Sequence, residues 1–263
     1  MLGVFDSGVG GLTVVRAIER RVPGAGYVYL GDTARLPYGI KSQKTIERYA
    51  MQALAFLRES GADQPVIACH TVSAALIGNP AFRRTCASIY SGIEPRDVVT
   101  PAIAAAKRET KSGRIGVLAT TATIRSGVYQ RALRRFRVVP VAASVLVAIA
   151  EEGWAFRRDV RQGRGRAITP MLREILKPFA RAHVDTVVLA CTHFPIFKPH
   201  IRAILKPSVH IIDPGEELAA ILAASHSVKR GSRNYFATDI PDDFSERASR
   251  FLGRAVHASP VTL

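Results

Sequence analysis

Two of the three cysteines stand in matched surroundings. Pro65-Val-Ile-Ala-Cys-His-Thr71 and Val187-Val-Leu-Ala-Cys-Thr-His193 each end an apolar run on a thiol that is followed by a hydroxyl and an imidazole. The thiolate is the reactive form, and it is favoured near a helix start by the dipole and the backbone N–H groups. Bringing a thiol from about pKa 8.5 towards 7 takes only roughly 2 kcal/mol. Cys69 and Cys191 are therefore the chemical candidates, each expected at a strand end that runs into a helix. Cys86 has no supporting context and reads as an inert core thiol. Zinc fits poorly, because consecutive side chains on an extended strand point to opposite faces and Cys69 could hardly chelate together with His70. No metal is expected. A Cys/His nucleophile for acyl transfer would leave the second, matching cysteine unexplained.

The remaining polar candidates also follow apolar runs: Asp6-Ser7-Gly8, Gly31-Asp32-Thr33, Cys69-His70-Thr71, Thr120-Thr121-Ala122-Thr123 and Cys191-Thr192-His193. In open parallel sheets ligands bind beyond the carboxyl ends of strands, so these residues should share a rim. Gly8-Val9-Gly10-Gly11 does not complete a dinucleotide fingerprint, since Thr13 stands where the third glycine belongs. It suits a tight turn whose N–H groups hold the carboxylate of a small anionic molecule.

The elements that must position these groups alternate in kind. Candidate strands are Leu2–Asp6, Tyr27–Leu30, Pro65–Ala68, Arg114–Ala119, Arg137–Ala142, Asp185–Ala190 and Val209–Ile212. Segments of helical period separate them, the clearest over Ser42–Ser60 with Ser42 as cap and Gly61 as stop. Alternation of this kind predicts an α/β fold of mostly parallel sheets flanked by helices, and the matched cysteine segments suggest two pseudo-symmetric lobes. Breaks near Pro95 and at Lys206-Pro207 place residues 1–95 and 207–263 in the first lobe and 96–206 in the second.

Composition narrows the class further. The uncharged run Val138–Ala150 has thirteen residues, short of the roughly 20 needed to span a membrane, and reads as a buried strand entering a helix. No secretory signal is expected, which makes the cytoplasm the default compartment and keeps the cysteines reduced. The net charge of +16 attracts polyanions and raises a competing class, a nucleic-acid-binding protein. Basic clusters occur at Arg131, Arg134, Arg135 and Arg137, at Arg157, Arg158, Arg161, Arg164 and Arg166, and around Lys229, Arg230 and Arg233. They lack interleaved aromatic residues, so solvated faces are the favoured reading.

Taken together, the motifs resemble glutamate racemase along almost the whole chain. The resemblance is carried by Asp6-Ser7-Gly8-Val9-Gly10-Gly11-Leu12, Asp32-Thr33-Ala34-Arg35 with Pro37-Tyr38-Gly39, Ala68-Cys69 with Thr71, and Cys191-Thr192-His193-Phe194-Pro195. Weaker echoes are Gly92-Ile93-Glu94-Pro95, Gly116-Val117-Leu118-Ala119-Thr120, Glu151-Glu152-Gly153 and Ile212-Asp213. It implies two α/β lobes with the active site in the cleft between them, and cofactor-independent interconversion of L- and D-glutamate, supplying D-glutamate for peptidoglycan and so for cell shape. Racemisation needs an acid and a base on opposite faces of one α-carbon, and two strand-end thiols match that need. By the resemblance Cys69 takes the α-proton of the D-isomer and Cys191 that of the L-isomer, assisted by Asp6 and His193. Ser7, Pro37, Tyr38, Gly39, His70 and Thr71 are the expected substrate contacts on the first lobe, together with Asp6. Thr120, Thr123, Glu151, Thr192 and His193 are those on the second. The family often forms homodimers, but no surface stripe here selects an oligomeric state.

Three positions depart from the family pattern. His70 stands where Asn is usual, Pro214 follows Asp213 in place of Ser, and Ala142-Ala143-Ser144 replaces a common Cys-Pro pair. If His70 meets substrate, its titration near pH 6.5 should add a limb to the pH–rate profile. The rival readings are a racemase for aspartate or another acidic amino acid, and a catalytically impaired basic homologue that binds nucleic acid.

Overall fold

The computed structural model describes residues 1–156 and 168–263, so the arginine cluster from Arg157 to Arg166 lies outside the described residues. The chain divides into two compact units, Met1–Val98 with Gly215–Leu263, and Val99–Pro214.

The first unit is built on six parallel strands. They are β1 (Leu2–Asp6), β2 (Tyr27–Gly31), β3 (Gln64–Ile67), β4 (Arg96–Asp97), β9 (Arg233–Ala237) and β10 (Ser259–Pro260), in the order β10-β9-β2-β1-β3-β4. The second unit carries β5 (Arg114–Ala119), β6 (Arg137–Ala142), β7 (Thr186–Ala190) and β8 (His210–Ile212), also parallel, in the order β6-β5-β7-β8. Each unit therefore holds the same four-strand pattern, second-first-third-fourth, and the first unit extends it with β9 and β10. Every residue of β1, β2 and β7 is buried, as continuous apolar strands covered by helices on both faces require.

Helix Gln43–Glu59 forms where its period predicts. Ser42 accepts a hydrogen bond from the Thr45 N–H at 3.2 Å, and Ile46, Ala50, Ala53, Leu54 and Leu57 turn one stripe into the core. Gly61, with φ near +89°, ends the segment.

Three expectations change. β8 belongs to the 207–263 stretch expected in the first lobe, but it pairs with β7 in the second sheet, because three parallel register pairs outweigh the Lys206-Pro207 break. The Val138–Ala150 run does not begin as a buried strand. β6 is an edge strand with partly exposed side chains, a position that also tolerates Pro140. Cys191 is not at the start of an α-helix, since a 3-10 turn over Phe194–Phe197 intervenes before helix Lys198–Ile204. Among the described residues no helix is long and apolar enough to cross a membrane.

Candidate active site

In each unit the chain goes from its first strand to one neighbour and later returns to the other side, leaving a switch point at the carboxyl ends where ligands bind. In the first unit the ends of β1 and β3 flank that point and deliver Asp6, Ser7 and Cys69. Asp6 is buried and accepts the Gly8 N–H at 3.0 Å, so the glycine turn already holds a carboxylate belonging to the chain itself. Gly11 must be glycine, because a Cβ there would stand 2.5 Å from the Asp6 Cβ and 2.9 Å from the Tyr29 hydroxyl. Tyr29, which the sequence reading missed, closes the same turn by donating its hydroxyl to the Gly8 carbonyl at 2.7 Å.

Cys69 caps helix His70–Gly78, and its Sγ lies 3.5 Å from Ser7 Oγ. The expected drop in its pKa does not occur. Burial, followed by the negative charge of Asp6, pushes the thiol up to about 11, against hydrogen bonds from Ser7 and the Val72 and Thr71 N–H groups. Resting Cys69 is thus a neutral thiol, a proton donor at neutral pH.

His70 is buried beside it on the first turn of that helix, and burial lowers its pKa to about 3. The extra limb near pH 6.5 is therefore not expected, since the imidazole stays neutral throughout that range. Its signature lies in stability. Between pH 6.5 and about 3 the unfolded chain takes up a proton that the folded chain refuses, so stability declines as pH falls, by about 1.4 kcal/mol per unit for one such group. Thermal melts from pH 7 to pH 4 should show a decline that is shallower in His70→Asn. Equal slopes in the two proteins would remove this role.

Tyr38 is buried and donates its hydroxyl to Asp32. Its phenolic proton is committed there, which leaves its main chain and ring for any substrate. Pro37 and Gly39 on either side are exposed, and Thr71 is partly buried.

The second unit holds a line of three groups. Cys191 follows β7 and places Sγ 3.8 Å from His193 Nδ1, while His193 Nε2 lies 2.9 Å from Glu151 Oε1 at the end of helix Val145–Glu151. Burial disfavours the imidazolium, but the hydrogen bonds and charges of Cys191 and Glu151 outweigh it and raise His193 to about 10. The arrangement joins a thiol to an imidazolium that is itself oriented by a carboxylate. Thr192 is buried between the two. Thr120 caps helix Thr121–Ser126, accepting the Thr123 N–H, and the two hydroxyls lie 3.2 Å apart. Ser144, one of the departures from the family pattern, accepts the Thr121 N–H at 3.0 Å. Among the described residues no group of three or more His, Cys, Asp or Glu is arranged to hold a metal.

Comparison with known proteins places these groups in company. The profile of the Asp/Glu/Hydantoin racemase family matches residues 2–222. The glutamate racemase of Neisseria meningitidis serogroup B is 38% identical over 267 residues, covering 97% of this chain and 93% of that protein. That of Syntrophus aciditrophicus is 36% identical with the same coverage. The crystal structure of glutamate racemase from Francisella tularensis in complex with D-glutamate is similar with a TM-score of 0.82 at 30% identity, covering 99% of this chain and 97% of that one.

Proposed function

This chain belongs to the Asp/Glu/Hydantoin racemase family, and we propose on that premise that it interconverts L- and D-glutamate with two thiols and no cofactor. It is an amino-acid racemase, an isomerase. One observation carries the reading of the site: the repeated strand pattern ends, in both units, on a buried thiol with an acid/base group beside it.

In the forward direction Cys191 takes the α-proton of L-glutamate, the C–H electron pair remains on the α-carbon, and that pair then takes the proton of Cys69 on the other face. The reverse direction exchanges the roles. Their environments suit this division, since Cys69 rests protonated while Cys191 Sγ lies 3.8 Å from Nδ1 of His193, which is held as an imidazolium. Asp6 and His193 assist the two thiols. Ser7, Thr71 and the Pro37-Tyr38-Gly39 turn, with Thr120, Thr123, Glu151 and Thr192 from the second unit, hold the amino and carboxylate groups. His70, neutral and buried, follows Cys69 on the first turn of its helix. Three free thiols suit a reducing cytoplasm, and D-glutamate is the form consumed in building peptidoglycan.

Incubation of L-glutamate with purified protein in deuterated water tests the proposal. Optical rotation should decay to zero and the D-product should carry α-deuterium, because its new hydrogen comes from a solvent-exchanged thiol. Dialysis against a chelator should leave the rate unchanged. Activity restored only by zinc would overturn the cofactor-free mechanism, and faster turnover of aspartate would replace the substrate.

A further inference from the structure

Asp32 lies just beyond β2, and its carboxylate is fully buried and held on both oxygens. Thr238, directly after β9, donates its hydroxyl to Oδ1 at 2.8 Å. Arg35 brings Nε to 2.7 Å from Oδ2, and Tyr38 donates its hydroxyl to the same oxygen. The guanidinium is fixed in turn, with its carbon 4.2 Å from the centre of the Tyr49 ring and Nη1 at 2.6 Å from Gln52 Oε1. A second set of bonds runs alongside. Ala34 N–H donates to Thr238 Oγ1 at 2.9 Å, Thr33 Oγ1 donates to the Asp239 carbonyl at 3.0 Å, and Asp239 N–H donates back to Thr33 Oγ1 at 3.1 Å.

Such an arrangement is a clamp. A buried carboxylate is tolerated only with its donors in place, so each donor is held as firmly as the charge is desolvated. The donors here are Arg35 and Tyr38 of the turn itself and Thr238 from a strand end about 200 residues away in sequence. The turn between them carries the exposed Pro37 and Gly39.

We propose that Asp32 is a positioning residue of the substrate pocket, whose carboxylate locks the Pro37-Tyr38-Gly39 turn to Thr238 by way of the Tyr38 hydroxyl. The inference rests on the reading that this turn contacts glutamate. Asp32 itself, with no exposed surface, does not meet substrate.

The test compares Asp32→Asn, Thr238→Val, Tyr38→Phe and the double variant combining Asp32→Asn with Tyr38→Phe, by kinetics on glutamate and by amide hydrogen exchange. Asp32→Asn should lower kcat/KM about 100-fold, the scale of an ångström of misplacement, with about tenfold of it in KM. Thr238→Val, which leaves the carboxylate paired with Arg35, should act in the same sense by about tenfold. It carries the test if Asp32→Asn does not fold. The double variant should lose no more than Asp32→Asn alone, because one residue acts through the other. Amides of residues 33–40 should exchange faster in Asp32→Asn and Thr238→Val than in the parent. Parent-like KM and parent-like exchange in a folded Asp32→Asn or Thr238→Val, or additive losses in the double variant, would overturn the inference. A parent that turns over no glutamate would count against the functional reading instead, and the exchange rates over 33–40 would still decide whether Asp32 holds the turn.

Discussion

Cys69→Ala and Cys191→Ala are each expected to lower glutamate racemisation by about 100- to 10,000-fold, the usual contribution of a positioned acid or base. Cys86→Ala should keep a rate close to the parent's. The difference follows from surroundings. Cys69 and Cys191 follow strands at the switch points of their sheets, beside Ser7 and His193 respectively. Cys86 sits in the core of the first unit with Ile46, Ala50 and Phe82, where burial raises its pKa to about 12. Removing its sulfur leaves a small void and affects stability before chemistry. The two inactive variants should also differ from each other in deuterated water. With Cys69 gone, Cys191 can still remove and return the α-hydrogen of L-glutamate, so deuterium should enter L-glutamate with no D-isomer formed. Cys191→Ala should show the mirror behaviour with D-glutamate. Chiral chromatography with mass detection reads both. A loss below tenfold in either variant would take that thiol out of the mechanism.

Much of this architecture was legible because period and composition agree with it. β1, β2, β3, β5, β6, β7 and β8 fall within a residue of their sequence expectations, and the matched cysteine segments signalled the repeated strand pattern. Strands β4, β9 and β10 escaped because two are only two residues long, and Arg233-Asn-Tyr-Phe-Ala is too polar at its start to read as buried. β9 becomes a strand by pairing with β2 across a long sequence separation, a tertiary contact that overrides local preference. The thiols themselves were legible, but their protonation was not. Cys69 and His70 are governed first by desolvation, which depends on how far the surrounding elements close over them and leaves no mark in the local sequence. The same holds for Tyr38. Its place in the Pro37-Tyr38-Gly39 motif suggested a substrate contact, whereas its phenol is spent on a carboxylate six residues earlier.

His193→Asn is expected to lower kcat/KM by about 100-fold or more, the range for loss of an acid/base group. Glu151→Gln should cost less, about 10- to 150-fold, corresponding to one charge-assisted hydrogen bond of roughly 1.5–3 kcal/mol. L- and D-glutamate have equal free energies in water, so kcat/KM must fall equally in the two directions for any variant. What can differ is kcat, matched by an equal factor in KM, through the protonation state in which each half-reaction begins. The pH profile then separates an electrostatic role from a packing role. His193 is raised to about 10 by Cys191 and Glu151 acting against burial, so its proton and the stabilisation that goes with it persist below the unfolded value near 6.5 and are lost as pH climbs through about 10. Activity that depends on the imidazolium should show its alkaline limb there. Glu151→Gln removes one of the two partners that raise the imidazole and keeps the side-chain shape, so the limb should move to lower pH while the fold melts at nearly the parent temperature. An alkaline limb that stays in place in Glu151→Gln would show that the carboxylate only packs against His193, and that the proton held beside Cys191 is set by something else.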